Sequence, residues 1–236
     1  MPADVSVITV SFNDARGLER TLRSLSRLAH KPREVIVVDG GSPPATLAEL
    51  PRWGEGLALT LVSEPDRGIY DAMNKGLVHA RGRLLHYLNG GDTVVGEPYA
   101  TITAPCRLPV TMWEPETGRR WLDHVKLAGL GYCHQGVILP AGHRPYDLRL
   151  RLCADLDLLA ELFPLGLQAL PLATDGGVVY ALGGQSSQRL AEVHREVRAI
   201  ARRRLRWRRR VVVAALLTAK SLVPRGLRRA VRAAFG

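Results

Sequence analysis

Glu64, Asp66, Arg67, Tyr70, Asp71, Asn74 and Lys75 crowd into one short run, EPDRGIYDAMNKG, that opens with a turn and continues as a helix. Tyr70 and Asn74 stand four residues apart and share a helix face, and Asp71 and Lys75 form a second such pair. An exposed pair of that kind contributes only ~0.5 kcal/mol. Pairing therefore accounts for Asp71 and Lys75 and leaves the other groups available for a ligand. Asp39 closes an apolar run before Gly40-Gly41-Ser42, where a carboxylate can accept hydrogen bonds from a ribose or a base, or simply cap the turn. Asp92 follows Asn89-Gly90-Gly91. It could be part of a hairpin turn, or one of the one or two hard oxygen ligands that a divalent cation bridging two phosphates requires. Asp155 and Asp157 fall in the first turn of a predicted helix, where they complement the helix dipole. A carboxylate there could also serve as a general base toward a hydroxyl. His134 follows Cys133 and is either a hydrogen-bonded structural histidine or a ligand.

The elements that must hold these groups are legible from periodicity. VSVITVSF (Val5 to Phe12) reads as a buried strand, and ARGLERTLRSLSRLA places Leu18, Leu22, Leu25 and Leu28 on one helical stripe, capped by Asn13 or Asp14. REVIVVDGGS and LALTLVSEP give a second and a third strand. YDAMNKGLVHARG gives a helix closed at Gly82, and RLLHYLNGGD a fourth strand. This alternation predicts an α/β fold around a mostly parallel sheet. Such sheets bind ligands beyond the carboxyl ends of their strands, where the polar clusters fall. Residues 93–133 read as irregular strands and loops. GYCHQGVIL reads as a strand with a polar start, RLCADLDLLAELFPLG as a helix opening at Asp155, and LPLATDGGVVYALGG as two short strands around a turn.

The formal charge of +11 is uneven. Residues 186–236 hold 15 Lys+Arg against 2 Asp+Glu, which leaves 18 against 20 for the rest. The basicity belongs to a tail, with a boundary expected near Gly184. In that tail Leu227, Val231 and Phe235 recur every four residues among Arg225, Arg228, Arg229 and Arg232. This pattern suits a helix in the interface of an anionic bilayer, where each nearby cation contributes about 1 kcal/mol. Nucleic acid is not an expected partner, because the body offers neither a docking motif nor an aromatic platform. The N-terminus enters strand-like sequence directly, so no secretory leader is expected. Val211 to Ala219 is the longest apolar stretch and falls short of the ~20 residues of a spanning helix. Three cysteines without CxxC spacing point to free thiols in a reducing compartment.

Together these segments resemble glycosyltransferase family 2, an inverting family with the nucleotide-sugar-binding GT-A fold, and in particular its small bacterial members that build polysaccharides and glycolipids. The resemblance rests on VITVSFN, VIVVDGGS, the block SEPDRGIYDAMNKGLVHARGRLLHYLNGGD, CHQGVIL, YDLRLRLCADLDLLAEL and LGGQSS, in family order. It implies a domain over 1–184, with a nucleotide-sugar half (1–95) and an acceptor half (96–184), followed by a basic amphipathic helical extension over 185–236. It implies that Ser11 and Asn13 line the nucleotide pocket and that Asp39 holds base or ribose. Asp66, Arg67 and Gly68 would lie near the diphosphate, with Asn74 and Lys75 behind them and Asn89 close by. Asp92 matches the last acid of the family's Asp-x-Asp metal element, whose first acid is absent here, and His134 is a further candidate ligand for Mg²⁺ or Mn²⁺. Asp155 matches the catalytic base, with Ala154 where the family usually has Glu. The implied partners are a nucleotide-sugar donor, a glycan or lipid-linked acceptor and, through the tail, the inner face of the cell membrane. A sugar nucleotidyltransferase or a noncatalytic binding protein on the same fold are the alternatives. The first is disfavoured because SFNDARG, not a glycine-rich basic phosphate loop, follows the first strand.

Overall fold

β1 (Ala3–Ser11) and β2 (Pro32–Asp39) are apolar on both faces, the mark of parallel strands covered on both sides. In the computed structural model, which describes residues 3–125, 131–183, 189–205 and 213, these strands pair in parallel at the centre of a six-stranded sheet. β3 (Leu59–Ser63) pairs with β2, and β4 (Leu84–Tyr87) with β1, both in parallel. Register aligns Ser11 with Asp39 and Asp39 with Ser63, so three strands end in one row. β6 (Cys106–Arg107) and β9 (Val137–Pro140) complete the sheet on the far side of β4, in antiparallel pairs. A smaller sheet joins β5 (Thr93–Gly96), β10 (Gly176–Ala181), β7 (Val110–Trp113) and β8 (Arg120–Leu122) in that order. The mostly parallel α/β sheet expected from the sequence is present.

Side chains along a strand alternate between faces, and here each face has its own core. Val5, Val7, Val35 and Val37 pack with Leu18, Leu22 and Leu25 of α1 (Ala15–Ser26) and with Val94, Val110 and Val178 of the smaller sheet. Ile8, Val10, Ile36 and Val38 face the other way, onto α4 (Ile69–His79) and α5 (Ala154–Leu162). Asp14 caps α1, its Oδ1 accepting from Gly17 N–H at 2.8 Å. Two one-turn helices, α2 (Pro44–Leu47) and α3 (Leu50–Trp53), fill the connection between β2 and β3.

Three boundaries differ from expectation. α4 ends at His79 because Ala80 is already extended; Gly82 does not terminate it. Gly82 is needed for a close approach instead, since a Cβ there would lie 2.7 Å from Ser6 N. Segment 170–183 forms one strand, β10, and a single bridge between Leu172 and Arg107, where two strands are expected. The polar start of the GYCHQGVIL strand is a 3-10 turn over His134–Gly136, and only Val137 onward is extended. His86 of β4 fixes this turn from below. Its ring nitrogens lie 2.6 Å from the Gln135 carbonyl and 2.6 Å from the Tyr99 hydroxyl, and burial lowers its pKa to about 4.

α6 (Leu190–Arg204) opens the basic segment and is docked on the body. Val197, Ile200 and Ala201 bury against Cys153 and Ala160 of the α5 region, so the first turns beyond Gly184 share the body's core. The remainder of the expected amphipathic tail, including Leu227, Val231 and Phe235, lies outside the described residues. Among the described residues no helix is long and apolar enough to cross a membrane. Cys106, Cys133 and Cys153 are free thiols, as their spacing indicates.

Candidate functional site

The strand ends open into a cavity of about 1250 Å³. Of the residues singled out in the sequence, Ser11, Arg67, Gly68 and Asn89 line it, together with Asp92, His134 and Asp155. Asn13, Asp39, Asp66, Asn74 and Lys75 stand behind or beside the wall.

Asp39 is fully buried, and its carboxylate is already occupied. It accepts from Gly41 N–H (3.0 Å), Ser42 N–H (2.7 Å), Ser42 Oγ (2.5 Å) and Ser63 Oγ (2.9 Å). Ser42 Oγ in turn accepts from Asn13 N–H at 2.8 Å, and Asn13 takes the left-handed conformation (φ 52°) that asparagine tolerates. The loops after β1, β2 and β3 are thus tied to one carboxylate. Asp39 shapes the cavity wall from beneath instead of lining it. Gly40 makes room for the next loop, because a Cβ there would lie 2.6 Å from Asp66 Oδ2.

Ion pairing in the EPDRG segment is also redistributed. Asp71 pairs with Arg67, accepting its N–H at 3.0 Å and meeting its guanidinium at 3.3 Å. Lys75 reaches back to the Pro65 carbonyl (2.7 Å) and Glu64 (2.8 Å), so the Asp71–Lys75 pair inferred from spacing does not form. Asp66 accepts from Gly68 N–H at 2.7 Å, and Gly68 has a φ of 119° that favours glycine. Asn74 clamps the Tyr146 backbone, donating to its carbonyl (3.0 Å) and accepting its N–H (2.7 Å). Asn74 and Lys75 hold this segment to its surroundings.

On the far side of β1, Thr21 of α1 pins the NGGD turn: its Oγ1 lies 2.7 Å from the Asp92 carbonyl and accepts Gly91 N–H at 3.0 Å. The Asp92 side chain accepts from Ala181 N–H at 2.9 Å. Burial pushes its carboxyl up to about 7 against the pull of that hydrogen bond and of Arg20. Asn89 Oδ1 is buried with no hydrogen-bond partner among the described residues. A buried carboxylate and an unsatisfied amide oxygen are hard donors suited to a small divalent cation. Among the described residues no group of three His, Cys, Asp or Glu could hold a metal ion, so a cation here would have to draw on these oxygens together with ligands from outside the chain. His134 is drawn elsewhere. Its Nε2 lies 2.8 Å from the Tyr146 hydroxyl, and its ring stacks on Tyr87 with centroids 5.3 Å apart. Burial lowers its pKa, so it is a neutral part of an aromatic cluster.

Asp155 projects from the first turn of α5 into the cavity. Its Oδ1 accepts from the Tyr70 hydroxyl and from Leu156 N–H, both at 2.8 Å. Burial first, and then the Asp155 charge, raise the Tyr70 pKa well above the ordinary phenol value, so Tyr70 is a fixed donor. The sequence pairs Tyr70 with Asn74 on one helix face and gives no sign of its contact with Asp155. Two further kinds of group were missed. Phe12 is 62% exposed at the rim, an unshielded ring of the kind a flat ligand can cover. Arg20, Arg151 and Arg189 bring cationic groups to the same cavity. Only Phe12 gave a signal, as an aromatic residue at a strand end.

Residues 6–94 match the profile of the family described as Glycosyl transferase family 2. An uncharacterized glycosyltransferase of Mycobacterium tuberculosis is 48% identical over 93 residues, 39% of this chain and 35% of that protein. The alignment thus spans about a third of that relative. A PGL/p-HBAD biosynthesis glycosyltransferase of Mycobacterium bovis is 31% identical over 180 residues, covering 67% of this chain and 69% of its own length. In three dimensions the mannosyltransferase PcManGT from Pyrobaculum calidifontis, solved with GDP-Man and Mn²⁺, superposes with a TM-score of 0.61 at 18% identity over 99% of this chain and 80% of its own. That likeness is one of fold and agrees with the GT-A arrangement expected from the sequence. With a relative of this identity matched over most of its length, the chain belongs to glycosyltransferase family 2.

Proposed function

We propose that the protein is an inverting glycosyltransferase that moves a sugar from a nucleotide-sugar donor to a hydroxyl of a glycan or lipid-linked acceptor. The observation that carries the reading is the convergence of Asp155, from one half of the chain, and Asp92, from the other, on the single cavity at the strand ends. In this reading Phe12 offers a face to the nucleobase, Ser11 and the tied loops beside it hold the nucleoside, and Arg67 and Gly68 border the diphosphate. The acceptor oxygen forms a bond to the anomeric carbon and gives its proton to Asp155. The bond from that carbon to the diphosphate oxygen breaks, and the nucleoside diphosphate leaves with the electron pair. One displacement inverts the anomeric configuration. A Mg²⁺ or Mn²⁺ ion held by Asp92 and Asn89 would supply charge compensation to the leaving diphosphate.

Binding of UDP and GDP with and without Mn²⁺ tests the donor side. We expect the cation to strengthen nucleotide binding, and its increment to be lost in Asp92→Asn. Because the Asp92 carboxyl is raised to about 7, a cation must displace a proton below that pH. Calorimetry in two buffers of different ionisation enthalpy should therefore show proton release at pH 6 that fades by pH 8. Nucleotide binding indifferent to Mn²⁺ would sink the metal assignment, and binding without any sugar transfer would favour a noncatalytic protein.

The cationic end supports a second element of the proposal, peripheral attachment to the cytoplasmic face of an anionic membrane. Arg195, Arg198 and Arg202 are exposed along α6, on the side away from its buried stripe. Full-length protein should float with anionic vesicles, and the Arg225→Gln, Arg228→Gln, Arg229→Gln, Arg232→Gln variant should float several-fold less. Equal flotation of the two would remove the tail from this role.

A further inference from the structure

Glu196 lies on α6, yet its carboxylate spends its acceptors on the segment leading into α5. Oε1 accepts from Arg151 N–H at 3.0 Å, and Oε2 accepts from Leu152 N–H at 3.1 Å and Cys153 N–H at 2.9 Å. Three consecutive backbone donors just ahead of a helix normally need a local side chain or water. Cys153, the N-cap of α5, makes no side-chain cap bond, and it is Glu196 on another helix that anchors this residue and the two before it. The next residue but one is Asp155. Beyond it, Asp157 is held by the same helix, through Arg203 (2.5 Å) and Arg204 (2.9 Å). α6 therefore grips α5 on both sides of Asp155, with an acid before it and two arginines after it. Between these grips Val197 and Ile200 pack against Cys153 and Leu156.

We propose that Glu196 is a positioning residue that sets the orientation of Asp155 toward the acceptor, so that α6 is a working part of the catalytic unit. The inference rests on the reading of Asp155 as the general base. Glu196 does not line the cavity and touches no reacting atom. Its effect is mechanical: losing three backbone anchors lets the first turn of α5 drift, and a misplacement of ~1 Å can cost about 100-fold in rate.

The test uses the full chain and follows nucleoside diphosphate released from UDP-GlcNAc or GDP-mannose with water as acceptor. Glu196→Ala, Glu196→Gln and Asp155→Asn are compared at saturating donor, with UDP and GDP binding measured on each. For Glu196→Ala we expect kcat at least tenfold lower, with donor KM and nucleotide affinity within twofold of wild type. Glu196→Gln keeps an acceptor oxygen for Leu152 and Cys153 and should recover part of the loss. If the alanine variant does not fold, the glutamine variant carries the same test with a loss of a few-fold. Wild-type kcat in both variants, or a loss explained wholly by weaker donor binding, overturns the positioning role. If Asp155→Asn turns over normally, it is the base assignment that fails; a dead Asp155→Asn beside a fully active Glu196→Ala leaves the base standing and removes only Glu196.

Discussion

Asp155→Asn is expected to yield a folded protein that binds nucleotide-sugar and scarcely transfers it, with kcat lower by about 10² to 10⁴. The asparagine amide is nearly isosteric with the carboxylate. Its oxygen can still accept from the Tyr70 hydroxyl and Leu156 N–H, the two donors that Asp155 Oδ1 meets at 2.8 Å. Helix α5 and the cavity wall should therefore survive, and the melting temperature should change little. What is lost is the ability to accept a proton beside Tyr70 and Leu156, where neither His134 nor Tyr70 itself can take it over. His134 is neutral but has its Nε2 against Tyr146, and the Tyr70 phenol is held protonated. Nucleoside diphosphate release measures the rate, and calorimetry with UDP or GDP measures binding. Turnover within a few-fold of wild type would remove Asp155 from its role.

The largest effect on stability should come from Asp157→Ala. Asp157 is fully buried, and its carboxylate meets Arg144 at 2.6 Å, Arg203 at 2.5 Å and Arg204 at 2.9 Å. The helix dipole, which suffices on sequence grounds to explain an acid in this turn, is here the lesser reason for it. Removing the carboxylate leaves three guanidinium groups facing one another with only the more exposed Glu161, 2.9 Å from Arg144 and 2.5 Å from Arg204, and Asp147, 3.5 Å from Arg203, as counter-charge. Breaking a buried ion pair from one side costs about 3–5 kcal/mol. For a chain of this size that is a fall of about 10 °C or more in melting temperature. Burial pushes the Asp157 carboxyl up, but hydrogen bonds from Arg204 and Arg203 outweigh it and leave its pKa lowered. A lowered folded-state value means that the contribution is complete above the unfolded pKa of about 3.9 and is lost as pH falls through the folded one. Wild-type protein should thus lose stability on acidification below about pH 4 more steeply than Asp157→Ala. Denaturant unfolding at pH 7 and pH 3 reads both effects; a variant within 1 kcal/mol of wild type at pH 7 would contradict the cage.

The central strands were legible because each is an apolar run cut off by a polar turn, and parallel strands buried on both faces need little more. Their convergence on one site followed from the rule for such sheets and needed no side-chain detail. What could not be read was which partner each polar residue would choose. Lys75 has Asp71 at helical spacing and takes Glu64 and the Pro65 carbonyl, because the turn brings them to it. Asn74 finds the Tyr146 backbone 72 residues away, and Tyr70 finds Asp155 across 85. Asp39 reads from sequence either as a ligand for ribose or base or as the cap of its own turn, and nothing local shows the Ser63 hydroxyl arriving from β3. The same blindness to distant partners applies to α6. Its composition reads as a cationic helix, and nothing local indicates that Glu196 would anchor the segment leading into another helix or that Arg203 and Arg204 would pair with Asp157.

The shared carboxylate of Asp39 has a bearing on how this protein can change. Because the loops after β1 and β2 and the end of β3 hang from one anion, a substitution in one is felt by the other two, and this end of the cavity behaves as a single cast piece. The opposite rim, built from α5 and the segment before it, answers to a different anchor on α6. The two ends of the cavity are therefore mechanically separate, one tied to Asp39 and the other to Glu196.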